Sequence, residues 1–131
     1  MTIHEVFTDL LDAKIDKEKG NLIKRGDFST LENKLEDFSQ RDINCLYIMG
    51  ALERDNEITI DDQSNEIIQI GNSDCSPMAV ICRSTISNLL GGDKAFRSLI
   101  DKANKFSMKI IIDSLARISS SKFHRYIEKL F

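Results

Sequence analysis

The chain has 131 residues, 41% of them apolar and 30% charged, enough for one domain with its own core and too apolar for a disordered chain. A formal net charge of −3 without a basic patch argues against nucleic acid as a partner. No apolar run approaches the roughly 18 residues of a membrane span, and MTIHEVFTDLLD at 1–12, acidic and without a basic flank, is not expected to be a signal peptide.

In chain order, residues 2–15 read as a helix. Ile3, Val6, Phe7, Leu10, Leu11 and Ile15 fall on one apolar face, and Thr2 with Glu5 fits a capping box. The expected organisation begins with this N-terminal helix over 1–16, followed by a linker over 17–26 holding Gly20 and Gly26. Asp27 then caps a second helix over 28–40, with Phe28, Leu31, Leu35 and Phe38 on one face. INCLYIM at 43–49 is a continuous apolar run of strand formers. A strand covered on both faces has this composition, and such strands belong to parallel sheets flanked by helices.

Residues 50–91 read as irregular. EITI at 57–60 and EIIQI at 66–70 suggest a small hairpin across DDQSN. Ser76 before Pro77 is expected to be extended, and a short helix is expected over 79–89. Asp93 should cap a clear helix carrying Ala95, Phe96, Leu99, Ile100 and Ala103 on one face. MKIIID at 108–113 follows as a second buried strand, with Ile110 and Ile112 on one face and Ile111 on the other, all three covered. Strand, helix and parallel strand make a βαβ unit with a right-handed crossover. The tail SSSKFHRYIEKLF carries Phe123, Tyr126, Ile127, Leu130 and Phe131 at helical spacing, so a C-terminal helix is expected over 122–131.

Few residues suggest chemistry. Asp113 ends a strand and could face a ligand, although capping the turn after the strand is the favoured role. Glu53, Arg54 and Asp55, in MGALERDN at 49–56, fit a solvated or interface salt-bridge cluster better than a site. Gly91 and Gly92 lack the rest of a phosphate-binding motif and read as a helix-entry turn. Ser119 to Ser121 before Lys122 read as a helix N-cap region. Cys45, Cys75 and Cys82 are an odd count without a CxxC spacing, as expected for reduced thiols in the cytoplasm. Cys45 and Cys82 read as small buried apolar residues. His4 and His124 lie near opposite ends, and no zinc site is expected from them. No nucleophile–base pair is placed together by the sequence, so the expectation is no catalytic residue, no metal and no cofactor.

With these particular residues, the order helix, buried strand, long loop, helix, buried strand ending in Asp resembles the amino-terminal third of an α-amylase-type (β/α)8 barrel. The residues that carry the resemblance are GDFSTLENKLEDFSQRDINCLYIMG at 26–50, LLGGDKAFRSLIDKANKFSMKIIID at 89–113 and the loop between them. It implies an α/β fold, a partial barrel with parallel strands at 43–49 and 108–113, an amylase-like fragment over 27–121, and additional terminal helices. There are departures. The family's third strand ends D-x-x-x-N-H; Asp113 matches the Asp, but Arg117 and Ile118 stand where Asn and His would. The Tyr-Asp pair that holds the sugar is missing from the preceding loop, and the family's three catalytic carboxylates lie on later strands. A retaining glycosidase needs two carboxylates about 5–5.5 Å apart across one bond, and a whole barrel needs roughly 250 residues.

The resemblance therefore implies a degenerate barrel fragment that is not an enzyme, a structural or interaction module within a larger protein assembly. Its partners would be other protein chains, with a carbohydrate ligand as a lesser alternative. Asp113, Glu53 and Arg54 would be vestigial ligand-facing residues, and the tail stripe Phe123, Tyr126, Ile127, Leu130 and Phe131 an interface. The serine run followed by His124 and Arg125 resembles divergent amylase-like proteins of ciliated eukaryotes, which points to a cytoplasmic assembly of cytoskeletal or ciliary kind. The alternative is the N-terminal part, or a subunit, of a glycan-active enzyme whose catalytic carboxylates lie elsewhere.

Overall fold

The apolar run at 43–49 becomes the middle strand of a parallel sheet. In the computed structural model, which describes residues 1–18, 22–54 and 80–113, β4 (Cys45–Met49) lies between β1 (Ile3–Phe7) and β7 (Lys109–Ile112). Both neighbours run parallel to it, with Ile3 opposite Cys45 on one side and Lys109 opposite Cys45 on the other. Cys45, Leu46 and Ile48 are fully buried, as a run without alternation requires at a central position. This sheet belongs to a first unit, Met1–Ala51 with Ile86–Asp113; a second unit comprises Leu52–Thr85 and Ser114–Phe131.

The amino terminus differs from its expected helix. After β1 come a 3₁₀ turn at Thr8–Leu10 and β2 (Lys14–Ile15), and β2 pairs antiparallel with β3 (Leu22–Lys24) inside the expected linker. The helical spacing of the apolar residues is divided among three elements, so no continuous stripe forms. Val6 is buried in the core, whereas Ile3, Leu10 and Ile15 are exposed. Residues 3–7 pair with β4 along one edge, whereas a short helix without a buried apolar stripe would gain little from packing.

The helical layer follows the expected faces. Asp27 caps α1 (Phe28–Glu32), its Oδ1 accepting from the Thr30 backbone N–H at 2.7 Å and from the Thr30 hydroxyl at 2.8 Å. The single helix expected over 28–40 is split. The Lys34 N–H donates to the Leu31 carbonyl, a tight three-residue turn, and α2 (Leu35–Gln40) resumes beyond it. Phe28, Leu31, Leu35 and Phe38 are all buried. The longest helix among the described residues, α3 (Gly92–Lys105), buries Leu99 and Ala103. Its cap is Gly91, in the left-handed region at φ 109°, rather than Asp93, which sits in the first turn. Phe28 and Phe96 join α1 to α3, their ring centroids 5.1 Å apart.

Residues 79–89 also depart from the expected helix. Val80–Ile86 form β6, followed by a 3₁₀ turn at Asn88–Leu90. Val80, Ile81, Thr85 and Ile86 are β-branched, which stiffens χ1 and favours a pleated backbone over a helical one. β6 forms a separate two-stranded sheet with β5 (Leu52–Arg54). The hairpin expected at 57–60 and 66–70 and the helix expected at 122–131 lie outside the described residues.

The two faces of the parallel sheet are unequal. Val6, Ile48 and Ile112 are in register, as are Leu46 and Ile110, and all belong to the core under the helices. The residues between them point to the other face. There the central strand keeps Cys45 buried, whereas on the outer strands Ile3 is 51% exposed, Phe7 36% and Ile111 39%. The expectation that all three isoleucines of β7 are covered is thus corrected. β7 is an outer strand of the sheet, and the helices cover only the face that carries Ile110 and Ile112.

Candidate functional site

Parallel strands all deliver their following residues to the same end of a sheet, and ligands of α/β folds gather at the carboxyl end. Here that end collects Thr8 and Asp9 after β1, Gly50 and Ala51 after β4, and Asp113 after β7. Asp113 is 9% exposed. Its Oδ1 accepts a hydrogen bond from the Gly50 N–H at 3.2 Å, and its own N–H donates to the Ile48 carbonyl at 3.4 Å. Gly50 has φ 71°, a turn conformation that presents its N–H toward β7 and that a residue with a side chain adopts only with strain. The carboxylate therefore ties the ends of two neighbouring strands together.

Asp113→Ala is expected to destabilise the fold by about 1–3 kcal/mol, because it leaves the buried Gly50 N–H without its acceptor. Asp113→Asn keeps an acceptor oxygen and should lose less than half as much. Urea unfolding of the two variants checks the order, and equal losses would assign the effect to charge instead of to the hydrogen bond.

The end of β1 holds a second carboxylate, which the sequence analysis did not single out. Asp9 accepts from Arg25 Nη1 at 3.3 Å, with both side chains largely buried, and the Asp9 carbonyl accepts from the Gly26 N–H at 2.9 Å. The signal was present in VFTD at 6–9, an apolar run ending in Asp like IIID at 110–113, but a helical reading of that segment hid it. Beyond β4, the Ser87 N–H donates to the Ala51 carbonyl, and the Gly92 N–H donates to the Ser87 carbonyl, both at 2.9 Å. These bonds fix Gly91 and Gly92 as a helix-entry turn.

Glu53, half-buried, and Arg54, buried, lie on β5 in the second unit and not on a loop. Asp55 and the stripe Phe123, Tyr126, Ile127, Leu130 and Phe131 fall outside the described residues, as does His124. His4 lies against Phe38, with ring centroids 5.0 Å apart. Among the described residues no three His, Cys, Asp or Glu side chains gather where a metal ion could be held, and no helix is long and apolar enough to cross a membrane.

Cys45 is buried, as expected. Cys82 is not a buried apolar residue: it is partly exposed on β6. Its Sγ lies 3.3 Å from the Ser84 hydroxyl and accepts from the Thr85 hydroxyl at 3.2 Å. Hydrogen bonds from Ser84 and then Thr85 stabilise the thiolate and lower its pKa to about 7. Carboxymethylation of Cys82, followed by peptide mass spectrometry, should reach half its maximal rate near pH 7. In a Ser84→Ala, Thr85→Ala double variant that midpoint should rise by at least one pH unit. An unchanged midpoint would remove the two hydroxyls as its cause.

No protein-family model matches the sequence, and no curated protein matches it. Solved structures do match. A debranching enzyme of Nostoc punctiforme, soaked with acarbose, superposes on 98% of this chain with a TM-score of 0.65 at 18% identity, using 27% of its own length. The α-amylase of Geobacillus thermoleovorans, complexed with acarbose, gives a TM-score of 0.65 at 15% identity over 98% of this chain and 26% of its own. The fold is that of part of an amylase-type barrel. A hypothetical maltooligosyl trehalose synthase of Sulfolobus tokodaii shares it, with a TM-score of 0.56 at 19% identity over 86% of this chain and 11% of its own. The amylase-type fragment thus spans about a quarter or less of the length of these structures. In it, β1, β4 and β7 are three parallel strands in chain order, one more than the two that the sequence analysis located.

Proposed function

We propose that the chain is a non-catalytic, amylase-like segment that works as a structural and interaction module, the partly uncovered second face of its sheet seated against further protein. The observation that carries this reading is the unequal sheet. Ile3, Phe7 and Ile111 share the face turned away from the helices and are all at least 36% exposed. In a closed barrel that face is packed by side chains from the remaining strands. Apolar area left in water drives association at roughly 25 cal/mol per Å². The outer strands β1 and β7 also offer backbone groups to a further strand. The occupant this fits is protein that presents apolar side chains and a strand edge, supplied by other chains or by a longer polypeptide. The engagement of Asp113 with the Gly50 N–H supports a structural role for the residue that the family resemblance singled out. The setting is a cytoplasmic assembly, for which the cytoskeletal or ciliary kind rests on the resemblance of the serine run at 119–121.

Light scattering of the purified chain at micromolar concentration should show oligomers or larger association. An Ile3→Lys, Ile111→Lys double variant should reduce it, since both side chains are already exposed and charge there opposes docking. A wild-type protein that stays monomeric with sharp, dispersed NMR signals would overturn the proposal.

A second reading is a segment of a glycan-active enzyme whose catalytic carboxylates lie on other strands. It is favoured by the names of the matched structures: a debranching enzyme, an α-amylase and a maltooligosyl trehalose synthase. Whether the encoding reading frame also carries strands with the catalytic carboxylates separates the two readings. Both expect no turnover of starch, glycogen or maltooligosaccharides by this chain by itself, and turnover abolished by Asp113→Asn would overturn both.

A further inference from the structure

We draw no further inference here: the strongest candidate, the apolar groove of Phe96, Ile100 and Ile112 along the outer edge of β7 beside α3, carries nothing because nothing in the structure shows what covers it.

Discussion

Phe28→Ala is expected to lower the stability of the fold by about 3–5 kcal/mol. Phe28 is the first residue of α1, immediately after the Asp27 cap, and none of its surface is exposed. Its ring meets Phe96 of α3 at an interplanar angle of 52°, a tilted arrangement that adds to simple burial. Truncation removes the transfer energy of the ring, loses the aromatic pair and leaves a cavity between the two helices. A domain of this size has a total stability of only about 5–15 kcal/mol, so the variant should be partly unfolded at 37 °C. Ile111→Ala serves as the comparison, because its side chain is already 39% exposed and its loss should stay below about 1 kcal/mol. Urea denaturation followed by circular dichroism reads both. A Phe28→Ala loss no larger than that of Ile111→Ala would mean that α1 and α3 are not packed through this ring.

Gly26→Ala should be the most damaging of the small substitutions, at about 1–3 kcal/mol or more. The cause is space, because Gly26 is not among the glycines with positive φ. A Cβ built there meets the backbone carbonyl oxygens of Thr8 and Leu11, and the Leu11 Cβ as well. Carbonyl groups of a fixed turn cannot rotate aside as a flexible side chain would. Relief requires the 24–27 segment to move away from the turn after β1, which breaks the Gly26 N–H bond to Asp9 and strains the Arg25–Asp9 pair. The Asp27 cap is the adjacent residue and would shift with it. For a domain near 100 residues each 1 kcal/mol lowers Tm by roughly 4–8 °C, so a fall of at least 4 °C is expected in a thermal melt. A Tm within about 1 °C of the parent would show that the turn yields freely.

The parts of the fold visible in the sequence are those where one residue pattern maps onto one element. INCLYIM could be read as a central strand because Cys45, Leu46 and Ile48 are apolar without alternation and are all buried. Asp27 and the stripe Phe28, Leu31, Leu35 and Phe38 located the first helical layer for the same reason, although the turn at Leu31–Lys34 left no mark on the apolar spacing. The reading failed where neighbouring short elements imitated a longer one. Ile3 to Leu11 have helical spacing only when a strand and a 3₁₀ turn are added together. At 80–86 the β-branched residues favoured a strand, and the expected short helix gave them too little weight. The site divides along the same line. Asp113 at the end of an apolar run was legible, but the N–H that it binds was not: Gly50 is 63 residues away, and no local pattern encodes which backbone group a fold will bring close.

That separation has a kinetic consequence. The contacts that complete the parallel sheet join distant parts of the chain: the Thr2 N–H reaches Asn44 across 42 residues, and Gly50 reaches Asp113 across 63. The entropy of closing such loops is lost before the strand contacts compensate for it, so these pairings form late and folding is slow for the chain's length. The antiparallel β2–β3 pair and helices α1, α2 and α3 need only local closure and can form first. Meanwhile KIII at 109–112, β-branched at three of its four positions, remains an unpaired strand former in a partly folded chain. Such segments pair with copies of themselves at high concentration. Slow synthesis at low temperature, which keeps few unfinished chains in contact, therefore favours the native sheet over aggregates.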